Sequence, residues 1–394
     1  MRRALLALVA VLVCGTAAST AGAAPRSDLA RLAAIEAAGP PGALTGGGSG
    51  EAAARPRIVG GTALGSTAQA PFSVGLAIKM GDGGATCTGS VLDATHVLTA
   101  AHCVTENGST VPAQNVFVYA GSSDLTTKPG VDAAARHQAQ LVRVHPRYSS
   151  NAIPDDVAVV TLKVPLNLGT PLVQPAPLLA TGSYVVGGTP LTITGYGISS
   201  ATADDWGTLR QVQTQVVTAG LCGTDAPAAV LCTVRTGHAA CSGDSGGSGS
   251  ITGGIAGVTD IAERDCARGM NLFANVAAPE IRTFIDAAVA ERNVTAAEIP
   301  VSPRGGRSIR LRGTFRVGRT LTCSAGSWTG KPKLRYRLIL IKGSRSKTGK
   351  LSKSRRFKLR SSYRGWQAGC AVQASNAGGT GVSLTATVRT IRSR

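Results

Sequence analysis

Short apolar and β-branched runs, each interrupted by Gly, Pro, Asn or Asp, fill the chain from residue 58 to about 290. Phe72–Ile78, Val116–Tyr119, Val157–Leu162 and Leu191–Thr194 are examples. Runs of this length and punctuation predict strands, and their spacing predicts an all-β sandwich or barrel. One segment departs from that pattern. Over residues 279–290, Pro279 suits a first helical turn, Glu280 follows it, and Phe284, Ile285 and Ala288 recur at helical spacing. Beyond residue 300 alternation returns in Thr320–Cys323, Leu334–Ile341, Gln367–Gln373 and Val382–Val388, the pattern of half-buried strands. At the other end, Met1-Arg2-Arg3 precedes the apolar run Ala4–Val13 and the small-residue exit Ala21-Gly22-Ala23. This is the form of a signal peptide, 1–23, cut near Ala23 or Ala24. Residues 24–57 are rich in Ala, Gly and Pro, with a flexible tract at Gly46–Gly50. Such composition buries no core and predicts a propeptide.

At 394 residues the chain exceeds the usual range of one domain. Charge divides it further. Residues 299–394 hold 23 Lys and Arg and no Asp or Glu, so they account for more than the whole net charge of +20. A block this one-sided implies a polyanion partner or a solvated basic tail. The boundary is placed in a linker, 291–303, ahead of a basic domain at 304–394. Nine cysteines are present. Cys14 lies in the apolar core of the signal and leaves with it, and the even remainder of eight in a chain with a secretory signal predicts disulfides and an extracellular destination. Sequence alone does not choose their pairing. No C-x-x-C or H-x-x-x-H spacing suggests zinc, and neither a metal nor a cofactor is expected.

The densest chemistry lies in Ala239-Ala240-Cys241-Ser242-Gly243-Asp244-Ser245-Gly246-Gly247. Serine is a weak nucleophile at neutral pH; it needs a base within hydrogen-bond reach and donors aimed at a developing oxyanion. Glycines on either side let backbone N–H groups approach a substrate carbonyl. Leu98-Thr99-Ala100-Ala101-His102-Cys103 offers the base, and Asp155-Asp156-Val157-Ala158 offers a carboxylate ahead of a strand. With Arg57-Ile58-Val59-Gly60-Gly61 these motifs, in this order, resemble the chymotrypsin/trypsin-like serine endopeptidases from Arg57 to about residue 290. The resemblance implies two six-stranded antiparallel β-barrels with a C-terminal helix, and a catalytic cleft between the barrels. It makes Ser245 the nucleophile, His102 the general base and Asp156, rather than Asp155, the orienting carboxylate, with Gly243 and Ser245 forming the oxyanion hole. His96, His137, His145 and His238 show no partner pattern and are read as surface or structural. Cleavage after Arg57 would free the Ile58 ammonium to pair with Asp244, so the chain is expected to be a zymogen. The implied disulfides are Cys87–Cys103, Cys222–Cys232 and Cys241–Cys266, leaving Cys323–Cys370 for the tail.

In the same family the residue six before the nucleophile floors the specificity pocket, and an aspartate there recruits Lys or Arg. Here it is Ala239, with Ala262 and Asn271 at the walls. An uncharged pocket disfavours burial of a cationic side chain, so neutral residues are expected at P1 and a separate, trypsin-like protease is expected to cut at Arg57. Asp260 falls where the family usually has a serine touching the catalytic aspartate. The stretch from Gly121 to Val144 lacks the family's paired calcium glutamates. The tail resembles small Ig-like β-sandwich domains through Val317–Cys323, Trp328, Cys370 and Ala374–Gly379, with Tyr336 on the strand where a tryptophan often packs against the disulfide. A disordered basic tail is the other reading of this segment. For a secreted chain the expected ligand of the tail is an anionic cell-envelope polymer. Nucleic acid or anionic lipid would also suit the charge, but no base-reading motif is present. Protein or peptide substrates, an activating protease and a monomeric state complete the expectation. The alternative is a non-catalytic binding protein on a protease scaffold.

Overall fold

The computed structural model describes residues 58–393 except 82, 151–154, 184, 186, 204, 218–228, 263–265, 267–268, 301–304, 308, 343–344, 377–378 and 385–387. The signal peptide, the propeptide, Arg57, Cys222 and the end of the linker lie outside the described residues.

The first half is a closed barrel of antiparallel strands in the order Ser73–Met80, Gly83–Val91, His96–Thr99, Ala158–Leu162, Ala135–Val144 and Val116–Ala120. Its strands are rich in Val, Ile and Leu, and Val74, Leu76, Ile78, Val97, Val116, Val118, Val159 and Leu162 all lie in its buried core. The second half closes in the same way through Arg210–Val217, Pro190–Gly195, Ser248–Ile251, Gly254–Ala262, Met270–Asn275 and Val230–Val234, the last pairing back onto Arg210–Val217. Thr62–Ala63 adds an edge to Arg210–Val217. The molecule therefore carries two six-stranded antiparallel barrels, each without a free edge to manage.

The helix spans Pro279–Val289 with proline in its first turn and Glu280 beside it. Ile281, Phe284, Ile285 and Ala288 bury against the first barrel's core, the stripe anticipated from their spacing. The chain does not leave the barrel at the helix end. Ile299 is buried in the same core, and the Arg147 guanidinium donates to the carbonyls of Ile299 and Pro300 at 2.8 Å. A short helix, Lys128–Ala133, was not anticipated. Thr127 caps it by accepting from the Gly130 N–H, and a proline stands in its first turn.

The tail forms two main sheets. One contains Arg310–Arg312, Thr320–Ser324 and Arg356–Lys358; the other contains Arg345–Thr348, Lys333–Lys342, Gln367–Asn376, Gly379–Leu384 and Arg389–Thr390. The Cys323–Cys370 disulfide joins them. Along Lys333–Lys342, Tyr336, Leu338 and Leu340 turn inward while Lys333 and Arg335 stay exposed, as period-2 alternation requires. Tyr336 packs in one cluster with Cys323, Cys370 and Val372, and Trp328 borders it. The strand starting at Gly379 begins three residues before the anticipated Val382, because its pairing with Asn376 overrides the local turn character of its glycines.

Candidate active site

His102 begins a 3-10 turn, His102–Val104, that follows the strand His96–Thr99. Asp156 sits two residues before the strand Ala158–Leu162, which pairs with His96–Thr99. That pairing sets the two side chains together: His102 Nδ1 lies 2.6 Å from Asp156 Oδ2, and the His102 backbone N–H donates to Oδ1 at 2.8 Å. Two bonds to one carboxylate fix both the ring and the tautomer that presents Nε2 outward. Burial disfavours the imidazolium, but the charge and hydrogen bond of Asp156 outweigh it and hold His102 above its ordinary value. For Asp156, burial pushes up, while the His102 charge and hydrogen bonds pull it below the usual carboxylate range. Asp155 faces away from His102, with a carboxylate oxygen 3.7 Å from His145 Nε2. His145 itself is buried against Phe284, and burial lowers it to about 4. His96 bonds Asp93, His137 bonds the Val164 carbonyl and His238 bonds the Thr236 carbonyl.

Ser245 comes from the second barrel's side, in a loop held by the first. Thr88 is the clamp. Its N–H donates to the Ser245 carbonyl at 2.8 Å, its hydroxyl donates to the Gly243 carbonyl at 2.8 Å, and the same hydroxyl accepts from the Tyr196 N–H. On the other flank the Gly246 N–H donates to the Thr259 carbonyl and the Thr259 N–H to the Gly247 carbonyl, both at 2.8 Å. Gly243 and Gly246 adopt φ of 92° and 80°, and a Cβ on Gly246 would overlap the Thr88 carbonyl oxygen and lie 2.9 Å from the Ala100 nitrogen. The glycine after Ser245 thus presses on the backbone two residues before His102. Among the described residues, neither the Gly243 nor the Ser245 N–H is bonded to a backbone acceptor, the state an oxyanion hole needs. The His102 ring contacts the Asp156 carboxylate and, at 3.8 Å, the Cys103 sulfur. Bonds between catalytic groups commonly tighten only when substrate is present.

Beneath the loop Asp244 is fully buried. Its carboxylate accepts from the Gly197 and Cys241 N–H groups at 2.8 Å each. Gly197 is required there, since a Cβ would lie 2.5 Å from the carboxyl carbon. Burial lifts Asp244 to about 6, against the pull of those two N–H groups and of Arg210. Arg210, 0 % exposed, donates to the Gly197 carbonyl and pairs with Asp205 at 3.0 Å. The Ile58 side chain is already buried among Leu191, Ile193, Ala240 and Phe273, and Val59 pairs with Ala239.

The residues assigned to the specificity pocket are brought together. Ala239 is buried next to Ala240, whose N–H donates to Asn271 Oδ1 at 2.9 Å, and Asn271 lies opposite Ala262 across the strand pair. Asn271 Nδ2 donates in turn to Thr233 Oγ1, so its amide is engaged by the protein. Cys87–Cys103 and Cys241–Cys266 are bonded. Cys232 is disulfide-bonded, and Cys222, its expected partner, lies outside the described residues.

Sequence reasoning missed Thr88, Arg210 and Tyr148. Burial first, then the Asp156 charge and more weakly that of Asp260, pushes the Tyr148 phenol up. A lone threonine or tyrosine between motifs carries no local signal of such a role.

A buried aspartate–histidine pair on one barrel, and a glycine-flanked serine in a loop held by Thr88 of that same barrel, are what a serine hydrolase of the double-barrel class requires. The trypsin family's sequence profile matches residues 58–285. The chain belongs to the trypsin family of serine proteases. It is 30% identical to a trypsin of Phaedon cochleariae over 183 residues, 44% of this chain and 67% of that protein. It is 31% identical to serine protease SP24D of Anopheles gambiae over 213 residues, 53% of this chain and 73% of that one. Among solved structures it superposes on human heparin binding protein with a TM-score of 0.50 and 23% identity, over 60% of this chain and 98% of that one; at that identity the likeness concerns the fold.

The loop geometry predicts that Gly246→Ala displaces Ser245, because the new methyl meets backbone atoms of Thr88 and Ala100 that cannot swing aside. A fall in kcat/KM of about 10²-fold, the usual cost of a misplacement near 1 Å, is expected in a peptide-cleavage assay with the Cys87–Cys103 disulfide intact. Wild-type kinetics in that variant would mean that the loop does not position the nucleophile.

Proposed function

We propose that the chain is a secreted serine endopeptidase, made as a zymogen cut at Arg57-Ile58, that cleaves after uncharged P1 residues and carries a basic Ig-like domain for attachment to an anionic polymer. The observation that carries the catalytic part is the 2.6 Å contact of His102 Nδ1 with Asp156 on the barrel that also clamps the Ser245 loop. In this reading Ser245 Oγ attacks the scissile carbonyl as His102 Nε2 takes its proton. The oxyanion is met by the N–H groups of Gly243 and Ser245, and His102 returns the proton to the leaving amine. Water then enters by the reverse sequence and hydrolyses the acyl-enzyme, while Asp156 stabilises the imidazolium throughout. The leader segment and the disulfides support secretion. The uncharged Ala239 floor supports a neutral P1, and it also supports a separate trypsin-like activator, since this pocket gives Arg57 no counter-charge.

The second reading, a binding protein on a protease scaffold, draws on the heparin binding protein named above and on the strong basic charge of the tail. The complete His102, Asp156 and Ser245 set favours the enzyme. Cleavage of a peptide library by chain cut at Arg57, run beside Ser245→Ala, decides between them. Cleavage at neutral P1 residues that vanishes in Ser245→Ala is expected. Cleavage after Lys or Arg would discard the pocket assignment, and no cleavage at all would leave the binding reading.

Activation has its own signature. A carboxyl raised from 3.8 to about 6 contributes stability below its unfolded value and loses it as pH rises through 6. In the uncut chain that loss amounts to about 3 kcal/mol. An Ile58 ammonium would reverse the shift and remove the loss. The stability gained on cutting Ser245→Ala protein at Arg57 is therefore expected to grow by about 3 kcal/mol between pH 4 and pH 7, read by denaturant unfolding. A gain that does not change with pH would remove Asp244 from activation.

The exposed Arg310, Arg312, Lys333, Arg335, Arg356 and Lys358 on the tail's strands support electrostatic attachment. Full-length protein is expected to stay on an immobilised polyphosphate column at low salt and elute by about 1 M, where screening reaches about 3 Å; protein ending at Glu298 is expected to flow through. Equal retention of both forms would place the attachment elsewhere.

A further inference from the structure

Asp260 occupies the position beside the triad where the sequence departs from its family, and the structure shows how it gets there. In the strand pair Gly254–Ala262 and Met270–Asn275, Thr259 faces Phe273 and Ile261 faces Leu272, so Asp260 is the extra residue of a β-bulge. Bulges re-aim a side chain without ending the sheet. Thr259, one residue earlier, is the one bonded twice to the Ser245 loop. Asp260 is thus held at a fixed place relative to the nucleophile, and its side chain is turned onto the other half of the triad. It is 7 % exposed. Its carboxyl lies against that of Asp156: one polar side-chain atom each of His102, Asp156 and Asp260 lie within 4.8 Å of one another, and Asp156 is itself 2 % exposed.

Two buried carboxylates this close cannot both stay ionised, because their charges repel and neither has a donor to offer the other. One of the pair must hold a proton. Asp156 already accepts two bonds from His102, one from the backbone and one from the ring, and both favour its charged form. Asp260 has no comparable donor: its Oδ2 is buried without a hydrogen-bond partner. We propose that Asp260 is a positioning residue of the triad, a neutral carboxylic acid that donates its proton in a hydrogen bond to Asp156 and so fixes the carboxylate on which His102 turns. The direction of its titration agrees, since burial first, then the Asp156 charge and the hydrogen bond, hold Asp260 well above the usual carboxylate range. Among the described residues, the titratable groups acting on the pair are His102, on the turn before it, and Tyr148, which feels both carboxylates. Tyr148 is itself pushed up by burial and stays neutral through the working range. Of these two groups, His102 is the one that can supply positive charge to the pair.

The pH profile should carry the mark of this proton. While Asp260 keeps it the pair carries one negative charge, and His102 titrates against a single carboxylate. When Asp260 loses that proton as pH rises, its hydrogen bond to Asp156 is lost and repulsion drives the two carboxylates apart, releasing the carboxylate that orients His102. Activity then falls on the alkaline side for a reason that a neutral donor at this position would abolish.

The inference rests on the triad assigned above, and Ser245→Ala separates the two: activity surviving in that variant removes the triad, whereas inert Asp260 variants beside a dead Ser245→Ala remove only the role of Asp260. The experiment is kcat and KM against pH for the cut, full-length protein and its Asp260→Asn, Asp260→Ser and Asp260→Ala variants. Asn and Ser keep a neutral donor; they are expected to stay within about threefold of wild type at pH 7.5, to keep the acid limb in place and to lose the alkaline fall. Ala is expected to lower kcat by about tenfold or more with KM little changed, the mark of a group that acts on the transition state. An acid limb displaced to lower pH by a unit or more in Asp260→Asn would show that Asp260 is ionised in the wild type and overturn the proposal. So would an alkaline limb that is the same in all four proteins. If Asp260→Ala does not fold, the wild-type, Asn and Ser profiles still decide.

Discussion

A carboxylate removed from water must be surrounded by donors or give up its charge, and the cleft between the two barrels is organised by that constraint. Three aspartates meet it there in three ways. Asp156 keeps its charge, because the His102 ring and backbone both donate to it. Asp244 has two backbone donors and a distant guanidinium, which do not fully offset burial, so it sits near 6 in the continuous chain. Asp260, its Oδ2 without a hydrogen-bond partner among the described residues, is driven well above the ordinary range by burial and by the Asp156 charge. The first arrangement keeps a charge, the second leaves a carboxyl that a cation would stabilise, and the third, on the proposal above, turns an acid into a donor.

Much of this was legible in the sequence, for an identifiable reason. His102, Asp156 and Ser245 each stand inside a short contiguous run whose neighbours are constrained for the same purpose: glycines where backbone must approach, and a cysteine next to the histidine. The strands were legible because burial on one face imposes alternation, and the helix at Pro279–Val289 because its first turn and its apolar stripe agree. What escaped was non-local. Thr88 clamps the loop only because residues 155 positions apart are brought together, and nothing in a threonine within a strand announces it. Ile299 was assigned to a linker, since a single apolar residue among polar ones predicts no packing, yet it completes the first barrel's core. The identity of Asp260 was visible, but the bulge that turns it onto Asp156 depends on register with Met270–Asn275.

The tail obeys a different balance. Its interior is ordinary, with Leu321, Leu338, Leu340, Leu359 and Trp366 packed together and the Cys323–Cys370 bond between the sheets. Its exterior carries only one sign of ionised side chain. Self-repulsion among 23 cations works against a compact state, and a fold of under a hundred residues has little core with which to resist it. The disulfide closes a loop with a sequence separation of 47, and closures of that length restrict the unfolded chain by about 4 kcal/mol. Oxidation thus makes room for a surface charge that a reduced domain of this size would tolerate poorly.

If Arg57-Ile58 is the activation site proposed above, a cut there is governed by the same constraint as the cleft. Ile58 is already 0 % exposed among Leu191, Ile193 and Phe273 while its chain is continuous, and Val59 already pairs with Ala239 beside the nucleophile loop. The apolar part of the activation contact is therefore in place before any cut, and little further burial remains to drive a rearrangement. What a cut at Arg57 would add, in that reading, is charge: an ammonium to pair with a carboxyl that burial has raised to about 6. On this account the switch lies in electrostatics more than in packing. Its strength should follow the ionisation of Asp244, whereas the packing around Ile58 should hardly change.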